Sequence, residues 1–89
     1  MYRVELSSGA QRGLEEVPRK EFERIILALR SLSGNPRPMG VKKLRGPIHR
    51  IRVGAWRVIY AVFDKDSLVV VGKIVRRSEK TYDELDRLF

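Results

Sequence analysis

Arg50, Arg52 and Arg57 are the residues whose type and spacing point most directly to chemistry. If Gly54-Ala55 forms a two-residue hairpin loop, Val53 stands opposite Trp56 and Arg52 opposite Arg57. Side chains alternate along a strand, so Arg50, Arg52 and Arg57 share one face of the hairpin. Ile51, Val53, Trp56, Val58, Tyr60 and Val62 share the other, an uninterrupted apolar face. Like charges set directly opposite each other on a sheet cost up to about 1 kcal/mol. Glu5, in a first strand, is one internal source of a compensating carboxylate; an anion from outside the chain is the other. Guanidinium forks match phosphate oxygens bidentately, so the external reading is a phosphate-bearing polyanion.

The charge distribution supports that reading. The chain of 89 residues carries a net charge of +8. Residues 37–63 contain seven Lys/Arg (Arg37, Lys42, Lys43, Arg45, Arg50, Arg52, Arg57) and no acid, while the flanks come close to balance. Lys42, Lys43 and Arg45 form either a solvated loop or a contact to a nucleic-acid backbone, which positions a partner without reading bases. The absence of cysteine excludes a disulfide scaffold, a cysteine zinc site and thiol catalysis. With His49 as its single histidine, the chain offers little for a transition-metal site, and no cofactor is expected. Asp64 and Asp66 read as a turn rather than as metal ligands. His49 reads as a packed residue beside Pro47, and Trp56 as core. No run approaches the ~18 apolar residues of a membrane span. The alternating, charged opening Met1–Leu6 is unlike a signal peptide, so a cytoplasmic protein is expected.

The elements that must hold these residues follow from periodicity. Tyr2–Leu6 alternates as a half-buried strand, and Ser7-Ser8 offers an N-cap to a first helix carrying Ala10, Leu14 and Val17. Pro18 separates it from a second helix with an apolar stripe at Phe22, Ile25, Ile26, Leu29 and Leu32. Residues 33–47, rich in Gly and Pro, read as a stiff loop. Three strands follow, at Ile48–Val53, Trp56–Phe63 and about Leu68–Val75. Ser78 then caps a last helix, Glu79–Leu88, with Tyr82, Leu85 and Phe89 on one stripe. The expected fold is α+β: a single domain over 1–89, ordered β-α-α-β-β-β-α. Its sheet is twisted and mostly antiparallel, with a helical hairpin on one face. A two- or four-residue turn after Phe63 puts Arg76 on the Arg57 face, and a three-residue turn puts Lys73 there instead. Periodicity leaves both open.

Several segments carry a resemblance to a known superfamily. Asn35-Pro36-Arg37-Pro38-Met39-Gly40-Val41-Lys42-Lys43-Leu44-Arg45-Gly46 and Arg50-Ile51-Arg52-Val53-Gly54-Ala55-Trp56-Arg57-Val58-Ile59-Tyr60 resemble the RelE/ParE superfamily of toxin–antitoxin toxins, its RelE branch in particular. The Arg76-Arg77-Ser78 to Tyr82 tail is similar as well. The resemblance implies a ribosome-dependent endoribonuclease that cleaves mRNA in the A site, silenced by a cognate antitoxin that is acidic, partly disordered and RelB-like. It also implies catalytic roles for Arg50, Arg52, Arg57, Arg76 and Tyr82; beside them, Lys42, Lys43, Arg45 and Arg77 are expected to contact RNA or ribosome, and no metal is expected. Arg57 and Arg76 would stabilise transition-state charge, and Tyr82 would act as base if neighbouring cations favour its phenolate. The chain departs from the family pattern at His49, where a tyrosine is common, and at Arg50 and Arg52, where lysines are common. Two rivals stand beside this reading: a toxin of the same fold acting on DNA gyrase, and a catalytically inactive nucleic-acid-binding or antitoxin-partner module.

Overall fold

The computed structural model describes residues 1–77, and the elements below belong to that stretch. The final helix expected at Glu79–Leu88, with Tyr82, lies outside the described residues. Strand β1 (Arg3–Leu6) leads into helix α1 (Ser8–Glu15) and helix α2 (Arg19–Gly34). Strands β2 (Lys42–Arg45), β3 (Ile48–Val53), β4 (Trp56–Phe63) and β5 (Leu68–Arg76) follow, with one 3₁₀ turn at Asp64–Asp66 between the last two. The five strands form one sheet in the order β1-β5-β4-β3-β2. The β1–β5 pair is parallel and the other pairs are antiparallel, so the α+β expectation holds.

Ser7 starts α1 as predicted, its hydroxyl accepting from the Ala10 amide at 3.1 Å. Pro18 takes the N-cap position of α2. The predicted α2 stripe is narrower than expected: Ile25, Leu29 and Leu32 are buried, whereas Ile26 is half-buried and Phe22 lies at the exposed margin. The helices cover one sheet face, where Ala10, Val17, Ile25, Leu29 and Leu32 pack with Trp56, Val58, Tyr60, Val62, Val69, Val71 and Ile74. Gly13 permits the closest approach: a Cβ there would sit 2.2 Å from the Ile74 carbonyl oxygen. Among the described residues, no helix is long and apolar enough to cross a membrane.

One segment differs from expectation. Residues 42–45, read as part of a loop, form edge strand β2 against β3, with a register irregularity between Lys43 and Arg45. Lys-Lys-Leu-Arg has no alternating pattern to announce a strand, and the free edge of β3 supplies the pairing that its own sequence does not advertise. The preceding loop is tied down by Tyr60, whose buried hydroxyl donates to the Pro36 carbonyl at 2.7 Å.

Candidate nucleic-acid interface

The β3–β4 hairpin has the predicted register: Val53 pairs with Trp56, Arg52 with Arg57 and Ile51 with Val58. Gly54 adopts φ 61°, and Ala55 is not in the positive-φ region, the pattern of a type II′ turn. Arg50, Arg52 and Arg57 therefore share the face opposite the helices. Arg50 and Arg57 are each 9% exposed, while Arg52 projects to solvent. Apolar support on this face comes from a small cluster of Ile48, Ile59 and Leu44.

Strand β2 sorts its three cations. Lys42 pairs with Arg50 and joins the arginine face, whereas Lys43 pairs with His49 on the other face. Arg45 pairs with Ile48 beyond the irregularity, and all three are exposed. Glu5 does not provide the counter-charge considered for the arginines. It lies on β1, with β5 and β4 between it and β3, and its carboxylate accepts from Arg3 Nε at 2.7 Å.

Strand β5 resolves the choice between Arg76 and Lys73 in an unexpected way. The four-residue connection first pairs Phe63 with Leu68 and Tyr60 with Val71, the register that favours Arg76. Gly72 is then passed over, and Ile59 pairs with Lys73, Arg57 with Val75 and Trp56 with Arg76. This bulge turns Lys73 onto the arginine face and Arg76 onto the Trp56 face. The Arg76 guanidinium carbon stacks 4.7 Å from the centroid of the Trp56 ring, a cation–π contact. Being at the strand end, Arg76 still lines an open depression of about 410 Å³ with Ala55, Arg57 and Arg77. The Arg77 amide closes this end by donating to the Ala55 carbonyl at 2.9 Å.

Other candidates are structural. Trp56 is 4% exposed and its indole N–H donates to Glu21 at 2.5 Å, so it belongs to the core as expected. His49 is buried on the helix face, stacked on Tyr60 at 5.7 Å, with Nδ1 2.7 Å from the Pro47 carbonyl. Burial pushes its pKa below the usual histidine value, aided by Arg37 and Lys43, although the Pro47 carbonyl pulls the other way. Asp64 is a turn residue that accepts from Arg37 and Tyr2, and these hydrogen bonds hold its carboxyl below the usual range. Among the described residues, no group of three or more His, Cys, Asp or Glu side chains could hold a metal ion. Tyr82, the expected base, lies outside the described residues. What the sequence left undetermined was the bulge at Gly72; a lone glycine inside a strand pattern is the signal that could have found it.

This arrangement can do two things chemically. Opposed guanidinium groups bind phosphate oxygens, and a cluster of fixed positive charge stabilises the extra negative charge of a phosphoryl transition state.

Comparison with known proteins agrees with this geometry. The profile of the family described as ParE toxin of type II toxin–antitoxin system, parDE, matches residues 4–81. RelE1 of Methanocaldococcus jannaschii is 28% identical over 81 residues, covering 85% of this chain and 90% of that protein. The archaeal RelE–RelB complex of Pyrococcus horikoshii contains a chain that superposes with TM-score 0.80 at 29% identity, over 89% of this chain and 98% of that one. The isolated RelE toxin of E. coli shares the fold, with TM-score 0.76 at 21% identity and complete coverage of both chains. With a fold, an arginine hairpin and a family profile in agreement, the chain belongs to the RelE/ParE superfamily of type II toxin–antitoxin toxins.

Proposed function

We propose that this toxin is a ribosome-dependent endoribonuclease of the RelE branch, cleaving mRNA in the A site and so inhibiting translation. The observation that carries the reading is Arg52 placed directly opposite Arg57, with Arg50 beside them and Arg57, Arg76 and Arg77 around one depression. In this mechanism the ribose 2′-OH attacks the adjacent phosphate, forming a 2′,3′-cyclic phosphate and releasing a 5′-hydroxyl. Arg57 and Arg76 stabilise the charge that builds on the phosphate, Arg50 and Arg52 hold it, and Tyr82 acts as base. Lys42, Lys43, Arg45 and Arg77 contact RNA or ribosome. A surface this open orients RNA poorly alone, and the ribosome provides the positioning. The reaction calls on no metal or cofactor, and one domain over 1–89 performs it in the cytoplasm. The partner is a RelB-like antitoxin, acidic and partly disordered when free, in line with the RelE–RelB complex of the P. horikoshii relative.

The match to a ParE family profile favours a second reading, in which the same fold acts on DNA gyrase. Primer extension on a defined message with programmed ribosomes, with Arg57→Ala and Tyr82→Phe alongside, separates the two. Cuts confined to the A-site codon, dependent on ribosomes and lost in both variants, are expected. Cuts that survive Tyr82→Phe would remove that residue as base. A 3′-hydroxyl with a 5′-phosphate would overturn the mechanism, and no cuts from folded, antitoxin-free protein would favour the gyrase reading.

A further inference from the structure

Lys73 reaches the arginine face because β5 carries one extra residue. Had the Phe63–Leu68 register continued, Lys73 would stand opposite Val58, beneath the helices, and Ile74 would face outward beside the arginines. The bulge at Gly72 exchanges them: Ile74 enters the core at 1% exposure and Lys73 turns out. A bulge disrupts the local ladder, and here the Gly72 carbonyl accepts from the Ser7 hydroxyl at 2.9 Å. The same hydroxyl caps α1, so the register shift is built into the packing of that helix.

The outcome is a row across four strands: Lys42 pairs with Arg50, Arg50 with Ile59 and Ile59 with Lys73. At roughly 4.8 Å between strands the row spans about 14 Å. Its third position, Ile59, is apolar and buried, with Arg50 on one side of it and Lys73 on the other. The next row holds Arg52, Arg57 and Val75. On β5 the positions of this face are Leu68, Val70, Lys73 and Val75, so Lys73 is the one cation the strand contributes to it.

The geometry points to Lys73 as a phosphate-contacting residue, set on the β5 side of the arginine face as Lys42 is set on its β2 side, so that single-stranded RNA meets a cation at either flank of Arg50 and Arg57. This inference rests on the RNA reading of the face and extends it to a residue on the far side of β4. A lysine in this place acts as a point charge on the backbone and is indifferent to base sequence.

The test is fluorescence anisotropy of a labelled 2′-O-methyl oligoribonucleotide, which resists 2′-OH attack, titrated with full-length protein over a salt series. Each lost phosphate contact on a single strand lowers the slope of log K against log salt by about 0.7, or about fivefold in affinity at 0.1 M salt. Lys73→Gln should show that loss, Lys73→Arg should recover it, and Lys65→Gln, in the exposed turn, should match the parent. Lys73→Met keeps the apolar stem and should repeat the loss if the glutamine variant is unfolded. A parental slope in folded Lys73→Gln or Lys73→Met, with Arg57→Ala reduced, overturns the role of Lys73 and leaves the RNA face standing. Parental slopes in Lys73→Gln and Arg57→Ala together overturn both. Weakened binding to polyglutamate with an unchanged RNA slope also overturns it, in favour of an acidic protein partner.

Discussion

At the Asp64 end of β4, Arg37 reaches one carboxylate with both terminal nitrogens, at 3.2 and 2.9 Å, and Tyr2 donates to it at 2.6 Å. At the Trp56 end, Arg57 is held directly across from Arg52, with Arg50 two residues along and Lys42 opposite that. The first arrangement closes a loop and the chain start onto a turn with a pair of opposite charges. Such a pair, with both side chains about half exposed, stabilises only modestly. The second sets like charges opposite each other on neighbouring strands, an arrangement that backbone pairing tolerates at a cost. What a cation does therefore depends on the group the fold sets against it, and not on its abundance in the chain.

The largest test of this contrast is Arg57→Ala. Ribosome-dependent cleavage should fall by about 10²–10³-fold, the usual loss when one transition-state charge donor is removed. Denaturant stability should change by less than about 1 kcal/mol, because a like-charge pairing disappears with the side chain. A large loss of stability with cleavage intact would make the arginine hairpin structural, like the Asp64 end.

Gly13→Ala follows in size. Its methyl would press on the Ile74 carbonyl oxygen, and urea unfolding should show a loss of about 2 kcal/mol. The displacement falls on β5 just beyond the bulge, so RNA binding should weaken along with stability. Tyr60→Phe should cost about 1 kcal/mol by leaving the Pro36 carbonyl without its buried donor, with little effect on cleavage.

The smallest effects are in pH dependence and belong to the structural end. The Asp64 carboxyl is held down by Arg37 and then Tyr2, so its contribution is present above the ordinary carboxylate pKa. It is lost as pH falls through the lower folded value, and Asp64→Asn should flatten stability there. His49 is a base whose pKa is lowered chiefly by burial, so the unfolded chain takes up its proton first. Stability should fall as pH drops below the ordinary histidine value of about 6.5, and His49→Phe should remove that slope. A thermal melt series from pH 7.5 to 3 resolves the two windows.

The arginine hairpin was legible because its determinants are local. Gly54-Ala55 suits a two-residue turn, and strict alternation then assigns every side chain from Arg50 to Val62 to a face. Strand β2 was not legible, because Lys42–Arg45 lies at the sheet edge with mostly exposed side chains and pairs only where β3 leaves a free edge. Phe22 shares the helical stripe yet lies at its exposed margin, because helical spacing marks a stripe without saying where the sheet beneath it ends.

The sequence by itself determined the basic middle of the chain, the order of the described elements apart from β2, and the three arginines on one face. Those follow from composition and from periods of 2 and 3.6 residues, which neighbouring residues enforce. Only the tertiary structure decided that Lys73, and not Arg76, turns onto that face, and that Arg76 lies over Trp56. The physical reason is that a bulge depends on what meets its disrupted backbone. Here that is a serine 65 residues away in sequence, brought to Gly72 by the parallel pairing of β1 with β5.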